Sequence, residues 1–507
     1  MARANECCGK AADLNDWLCV LWLVLLPCFA QAQLHHDLEV TLSPGQHSLE
    51  VNDTLSWAAD APAALEFSLH AALRVETTTP GAQLTELSAG TDPAALKSRR
   101  YRVTLPAGES QLVLHYTGAI QHKVQQRGEE YARSFSSTRG IIAGQGVFLA
   151  GSSDWYPQVD GALISFDLHL RLPGDWYGVS QGARVTREAF SGQVQEHWRC
   201  TSPQEEIYLI AGRFSEYRQS ADTVQAMVFL READPVLAQK YLDATVDYVR
   251  LYADLIGPYP YTKFALVENF WETGYGMPSF TLLGPRVIRF PFILHSSYPH
   301  EILHNWWGNS VYIDYDSGNW AEGLTSYLAD HLIKEQRGQG VGYRRTVLQK
   351  YTDYVRQQQD LPLTAFRARH SASSEAVGYG KTLMLFHMLR REIGDETFIK
   401  GLRSLYAQYR FRLADWDAVQ QVFSAAAQRP LDDFFTQWVQ RPGAPTLSIS
   451  EVSASAADNG YRLSAVIEQT QPDDTYALRV PFAVQLEGQP QAWQTELEIE
   501  QKRSEIT

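Results

Sequence analysis

A multidomain α+β protein is what this sequence predicts, and three observations carry the reading. Short apolar–polar alternations broken by turn residues run from Leu38 to about Leu230, helical spacing takes over from Pro235 to Val439, and alternation returns from Thr446 to Thr507. At 507 residues the chain has room for about three domains of ~150 residues each. Apolar residues make up 45% of it and charged ones 20%, a balance that builds large cores and excludes a disordered chain.

Residues 1–32 read as an export signal. Trp17–Phe29 is the one strongly apolar run, too short to span a bilayer comfortably, and Ala30-Gln31-Ala32 after it fits a cleavage site. The mature chain then has no membrane span and is periplasmic or secreted. An uncleaved membrane anchor is the alternative, because acids outnumber bases ahead of the apolar run. Cys7, Cys8, Cys19 and Cys28 leave with the signal, so Cys200 remains alone and stability rests on packing rather than on disulfides.

From residue 33 to 230 the runs LEVTL, LEFSL, YRVTL, QLVLHY, ALISFDLHL and EEIYLIAG have strand lengths and a period of two, which predicts a β-sandwich or saddle-like sheet domain. Residues 231–441 predict an α+β domain. Its first helix is Pro235–Leu255, followed by a strand at Phe264–Phe270 and the glycine-rich GYGMPSFTLLG. Helical spacing then marks Asn319–Arg337, Val341–Gln359, Val377–Ile393, Thr397–Tyr409, Ala414–Ala427 and Leu431–Val439. Pro442-Gly443-Ala444-Pro445 breaks the last helix, and TLSISEV, YRLSAVIEQ, YALRVPFAVQL and WQTELEIEQ predict a C-terminal β-sandwich over 442–507. Because the chain stops at Thr507 without a turn or cap, this third domain is expected either to be truncated or to lean on the other two.

The net charge of −14 and the absence of any basic run longer than pairs such as Arg99-Arg100 and Arg344-Arg345 argue against a nucleic-acid partner. The informative cluster is His300-Glu301-Ile302-Leu303-His304, on a helix opened by Pro299. Histidines at i and i+4 share one helical face at a separation that lets both imidazoles reach one Zn2+, and Glu301 lies beside them to hold the metal's water. The bland alternative is a surface helix with two unrelated histidines. A catalytic zinc takes three protein ligands, and Glu322, with 17 residues between it and His304, is the candidate for the third. An acid favoured by the helix dipole is the plainer reading of Glu322. His35 and His36 read as an exposed pair, His295 as lying outside the metal helix, and Trp306-Trp307 as core packing.

Together these residues resemble the gluzincin zinc aminopeptidases of the membrane alanyl aminopeptidase and leukotriene hydrolase type. The domain order, β then thermolysin-like then β, extends the resemblance over most of the chain. Its specific motifs are Gly257-Pro258-Tyr259-Pro260-Tyr261, HEILHNWWGN, Glu322-Gly323 and Tyr379-Gly380-Lys381, with a looser likeness in LDDFFTQWVQRPGAP. The resemblance implies a zinc metallopeptidase acting on the amino terminus of a peptide substrate. One zinc per chain is held by His300, His304 and Glu322, with Glu301 as general base and Tyr379 as donor to the oxyanion. A buried structural tyrosine is the alternative for Tyr379.

Three departures qualify the likeness. The interval from His304 to Glu322 is one residue shorter than the family's, a loss that the loop Tyr312–Asn319 absorbs. The family's Gly-x-Met-Glu-Asn, whose Glu grips the substrate amine, is replaced by Tyr275-Gly276-Met277-Pro278-Ser279, and Gly146-Val147-Phe148-Leu149 offers no second acid. Glu268, Glu272 and Asp154 are candidate replacements, with solvated loop acids the plainer reading of all three. Thr382 stands where the family has Gly. The backbone at Gly276 and Met277 still offers an edge for pairing with an extended substrate. Three rival readings follow: endopeptidase cleavage, hydrolysis of a non-peptide substrate such as an epoxide at the same zinc, and a catalytically silent peptide-binding scaffold.

Overall fold

A computed structural model describes residues 34–58, 61–87, 98–127, 135–356, 360–457 and 460–507; the expected export signal and its four cysteines lie outside them. The amino-terminal region is built on a seven-stranded sheet, in the order Ala183–Phe190, Gln193–Gln204, Ile164–Pro173, Leu34–Ser43, Ser48–Trp57, Gln111–Ala119 and Leu73–Thr77. Alternate residues of these strands, such as Leu38, Val40 and Leu42 or Phe166, Leu168 and Leu170, are buried. They meet the inner residues of a four-stranded sheet (Ile141–Ala143, Gly146–Leu149, Leu209–Gly212, Tyr177–Val179) and a three-stranded one (Ala64–His70, Ser98–Thr104, Gln83–Leu87) in one core. His36 takes an inward position of this pattern. It is fully buried, with Nδ1 2.9 Å from Asp53, so the expected exposed His35-His36 pair is half wrong: strand alternation separates the two side chains.

The next sheet has five strands, in the order Ser215–Ala221, Val224–Leu230, Lys263–Glu268, Phe280–Leu283 and Gly274–Met277. Its first two strands precede residue 231, where the sequence pattern changes from alternation to helical spacing. Alternation shows that a segment is a strand and not which sheet it joins. Helix Pro235–Leu255 is the crossover between the parallel strands Val224–Leu230 and Lys263–Glu268. It starts at Asp234, whose carboxylate accepts from the Leu237 amide at 2.9 Å, with Pro235 in its first turn. Met227, Phe229, Ala265 and Val267 pack into the β-region core, whereas Val228, Leu230, Phe264 and Leu266 pack against the helices. Strand Lys263–Glu268 is therefore buried along its whole length, and each large apolar side chain it buries contributes about 1.5–3 kcal/mol. This sheet contributes side chains to both cores.

The helical segments lie at 321–336, 340–354, 372–393, 395–409, 416–427 and 432–440, near the expected ranges, but the second stops at Tyr354 rather than Gln359 and the third begins at Ala372 rather than Val377. Three of these contain wider, π-type turns, at Tyr327–His331, Ala376–Lys381 and Thr436–Gln440, which periodicity does not reveal. The C-terminal region holds a three-stranded sheet (Leu447–Ala457, Gly460–Gln469, Arg503–Ile506) and a two-stranded one (Leu478–Val484, Trp493–Ile499). It is tied to the helices by Tyr476, which stacks on Trp438 at 5.2 Å and lies under the Arg441 guanidinium. Among the described residues no helix is long and apolar enough to cross a membrane.

Candidate metal and catalytic centre

Helix Ser297–Leu303 starts two residues before Pro299, whose missing N–H costs nothing in a first turn. Ile302 and Leu303 anchor it in the core, leaving His300, Glu301 and His304 toward a cavity of about 930 Å³ between the β region and the helices. His304 closes the helix, its amide donating to the His300 carbonyl at 3.1 Å, and the two imidazoles stand 4.8 Å apart at 76°. Glu322 enters from the first turn of the 321–336 segment. Its Oε2 lies 3.4 Å from Nε2 of His300 and 3.4 Å from Nε2 of His304.

Those separations test the donor set. Two ligands ~2.1 Å from a tetrahedral ion stand about 3.4 Å apart, so two imidazole nitrogens and one carboxylate oxygen fit a zinc-type ion with a fourth side open to the cavity. The remaining ring nitrogens are engaged: Nδ1 of His300 lies 3.1 Å from Asp330 Oδ2, and Nδ1 of His304 is 3.0 Å from the Trp307 carbonyl. Both contacts orient the Nε2 atoms toward Glu322. Asp330 was not foreseen, although its place eight residues after Glu322, on the same side of one helical segment, is a readable signal.

The charges follow from this packing. Burial disfavours the charged form of His300, but Asp330 and Glu322 outweigh it and raise its pKa well above the ordinary value. His304 is likewise desolvated, yet raised by Glu322. The two imidazoles overcome burial at Glu322 and lower its pKa, whereas burial raises that of Glu301 against the opposing pull of both histidines. Tyr379 sits on the wide turn Ala376–Lys381, its ring parallel to that of His300 at 6.3 Å. Burial, then the Glu322 carboxylate, pushes its hydroxyl well above the ordinary tyrosine range. The wide turn packs closely on the neighbouring segment: a Cβ on Gly323 would fall 2.2 Å from the Thr382 Cβ, so Thr382 fits because its partner is glycine.

Strand Gly274–Met277 is the edge of its sheet and runs directly over Glu301. A Cβ added at Gly276 would lie 2.4 Å from Glu301 Oε2, so glycine is what lets this edge approach. The strand ends in the turn at Pro278-Ser279, where Ser279 holds φ of 67°. Its amide donates to Asn305 Oδ1 at 2.7 Å, its hydroxyl accepts from the Gly182 amide at 3.1 Å, and the Lys263 amine donates to its carbonyl at 3.0 Å and its hydroxyl at 2.9 Å. Lys263 is 2% exposed, and burial holds its amine well below the usual lysine range.

None of Glu268, Glu272 and Asp154 lines the cavity. Glu268 binds the Arg231 amide and Arg289, Glu272 accepts from the Arg286 amide, and Asp154 pairs with Arg139. Four acids that sequence reasoning missed do line it: Asp330, Glu375, which pairs with Lys350 and Arg369, and Glu205 and Glu206 at the start of EEIYLIAG. Glu206 accepts from the Gly151 amide at 2.5 Å and from the Tyr208 hydroxyl. Burial, with Glu206 beside it, pushes the Glu205 carboxyl up to about 7.

Residues 296–438 match the family model of the peptidase family M1 domain. The chain is 22% identical over 303 residues to the alanine/arginine aminopeptidase of Saccharomyces cerevisiae, covering 54% of this chain and 35% of that protein. It is 24% identical over 370 residues to aminopeptidase M1-B of Oryza sativa subsp. japonica, covering 68% and 42%. It thus spans less than half the length of these curated relatives. The M1 zinc metallopeptidase of Deinococcus radiodurans aligns with a TM-score of 0.60 and 18% identity over 83% of this chain and 97% of that one. A variant of that metallopeptidase bound to a Tyr-Ser-Ala substrate aligns with a TM-score of 0.62 and 18% identity, over 82% and 97%. The likeness to these structures establishes the fold.

Proposed function

We propose that this chain, whose residues 296–438 match the peptidase family M1 domain, is an exported zinc aminopeptidase, removing residues from the free amino terminus of peptides. The observation that carries this reading is the convergence of His300 Nε2, His304 Nε2 and Glu322 Oε2 beneath one cavity that Glu301 and Tyr379 also line. These three residues would hold one zinc per chain. Bound there, zinc supplies Lewis acidity, polarising the scissile carbonyl and lowering the pKa of a water toward ~7.

The rest is the work of the chain's own groups. Glu301 takes the attacking water's proton and passes it to the leaving amine, a task suited to a carboxyl whose pKa burial has raised. Tyr379 keeps its proton at neutral pH and donates it as a hydrogen bond where negative charge develops on the carbonyl oxygen, an effect worth about 3 kcal/mol. Gly276 and Met277 pair with the extended substrate backbone through their free strand edge. Pro278 offers no carboxylate for the substrate's ammonium, and we assign that role to Glu205, with Glu206 beside it. Export rests on the apolar run and cleavage pattern within residues 1–32.

The test is hydrolysis of matched peptides with free and acetylated amino termini, with and without a zinc chelator. Chelator-sensitive release of the first residue from the free peptide alone is expected. Cleavage of both peptides would overturn exopeptidase action, and cleavage of neither by a zinc-loaded chain would overturn the peptidase reading.

A further inference from the structure

We propose that Asp167, His169 and His197 form a second metal site, for a borderline divalent ion of the zinc type, on the outer face of the seven-stranded sheet. The three residues offer ligand atoms that all lie within 4.8 Å of one another, the only such group among the described residues besides the one at His300. Strand geometry brings them together. Asp167 and His169 are two apart on Ile164–Pro173, so both point away from the core filled by Phe166, Leu168 and Leu170, and His197 is the direct cross-strand partner of His169.

Two further donors flank the group. His35 Nε2, on the other neighbouring strand, stands 3.6 Å from Asp167 Oδ2 while its Nδ1 is 2.9 Å from the Ser165 hydroxyl. Asp37 Oδ1 stands 3.4 Å from His169 Nε2. Asp167 Oδ1 is held by Arg199 at 2.7 Å and by His197 Nε2, so a metal takes Oδ2, and His197 exchanges its contact with Oδ1 for the ion. Imidazole nitrogens with a minority of carboxylate oxygens select zinc, copper(II) or nickel(II) over calcium and magnesium, which take oxygen-only shells.

The His169 and His197 rings stack at 4.1 Å and 17°, so they must turn about χ2 to aim their lone pairs at one point. His169, at 45% side-chain exposure, has the room. His197 and Asp167, at 14% and 16%, give the site a fixed wall. A metal there clips adjacent strands of the sheet and stabilises the native chain by mass action.

The experiment is zinc binding by equilibrium dialysis with metal analysis, on the full chain and on three variants. The wild type is expected to bind two zinc ions, and His169→Ala/His197→Ala one, with peptidase activity unchanged. His300→Ala/His304→Ala is expected to retain one, whose binding raises its Tm, and the fourfold variant none. A wild type that binds one zinc, or a His169→Ala/His197→Ala chain that still binds two, overturns the proposal. That comparison does not need the His300→Ala/His304→Ala chain to fold.

Discussion

Replacing Gly276 by alanine separates the geometry of the catalytic carboxylate from the stability of the protein. The added methyl would stand 2.4 Å from Glu301 Oε2 and 3.4 Å from His304 Cδ2. The strand cannot retreat, because Gly276 is paired with Thr281 on a fully buried neighbour and the turn beyond it is fixed by Lys263 and Asn305. The atom that yields is therefore the carboxylate, the free end of a flexible side chain, which must withdraw by about 1 Å to regain an ordinary contact distance of ~3.5 Å. Its withdrawal costs little folding energy, but a displacement of that size at a reacting group lowers turnover by ~10²-fold, or about 2.7 kcal/mol in the barrier. The assay is kcat and KM on a tripeptide, with zinc content and Tm measured on the same preparation. The expected result is a ~10²-fold fall in kcat with zinc content retained and Tm within a few degrees of wild type. A folded, zinc-loaded Gly276→Ala chain within threefold of wild-type kcat would refute both the close approach and the role given to Glu301.

Glu301→Gln should lower kcat by ~10²–10⁴ while zinc content is unchanged, since it removes the base and leaves the three ligands. Tyr379→Phe should cost ~10²–10³ in kcat with little change in KM, as expected for a donor used only when charge develops on the carbonyl oxygen. Asp330→Asn should weaken zinc binding ~10–100-fold in a chelator competition, because the His300 ring loses the carboxylate that orients it. In the zinc-free chain, His300 and His304 have raised pKa values and Glu322 a lowered one. The histidine contribution to stability is full below ~6.5 and is lost as pH rises through the raised values; the Glu322 contribution is full above ~4.5 and is lost as pH falls through the lowered one. Tm measured against pH with chelator should peak between those limits, whereas a zinc-loaded sample should hold its Tm upward through neutral pH; identical profiles would refute this coupling.

The parts of this site legible in the sequence are those fixed by local spacing. His300 and His304 are one helical turn apart, so a single period brings their rings to 4.8 Å whatever the rest of the fold does. Glu322 and Tyr379 come from other segments: the need for a third ligand pointed to Glu322, whereas Tyr379 was legible only through motif resemblance, and the structure sets both around His300. Glu205 and Glu206 were not legible at all. They lie in the connection between strands Gln193–Gln204 and Leu209–Gly212, although EEIYLIAG reads as one strand, and nothing local records that this connection opens on a cavity formed with helices a hundred residues further on. The same limit hid the assignment of strands Ser215–Ala221 and Val224–Leu230, and the inward turn of His36 toward Asp53.

The turn at Pro278-Ser279 shows why one substitution in a motif can leave a site intact. Proline supplies neither a side-chain acid nor an amide, so the turn is held by its neighbour: the Ser279 amide, carbonyl and hydroxyl are bound by Asn305, Lys263 and Gly182. Asn305 follows His304 directly and also donates to the Ile302 carbonyl at 2.9 Å, Lys263 lies on the strand shared by the two cores, and Gly182 belongs to the β region. The position of the substrate edge over Glu301 is thereby set against three elements at once, independent of the side chain at residue 278. A residue without a carboxylate at 278 therefore leaves the register between the edge strand, Glu301 and the group of His300, His304 and Glu322 untouched. Under the proposed roles, amine recognition and bond hydrolysis are separable in this fold, the first assigned to Glu205 with Glu206 beside it and the second to the helix of Glu301.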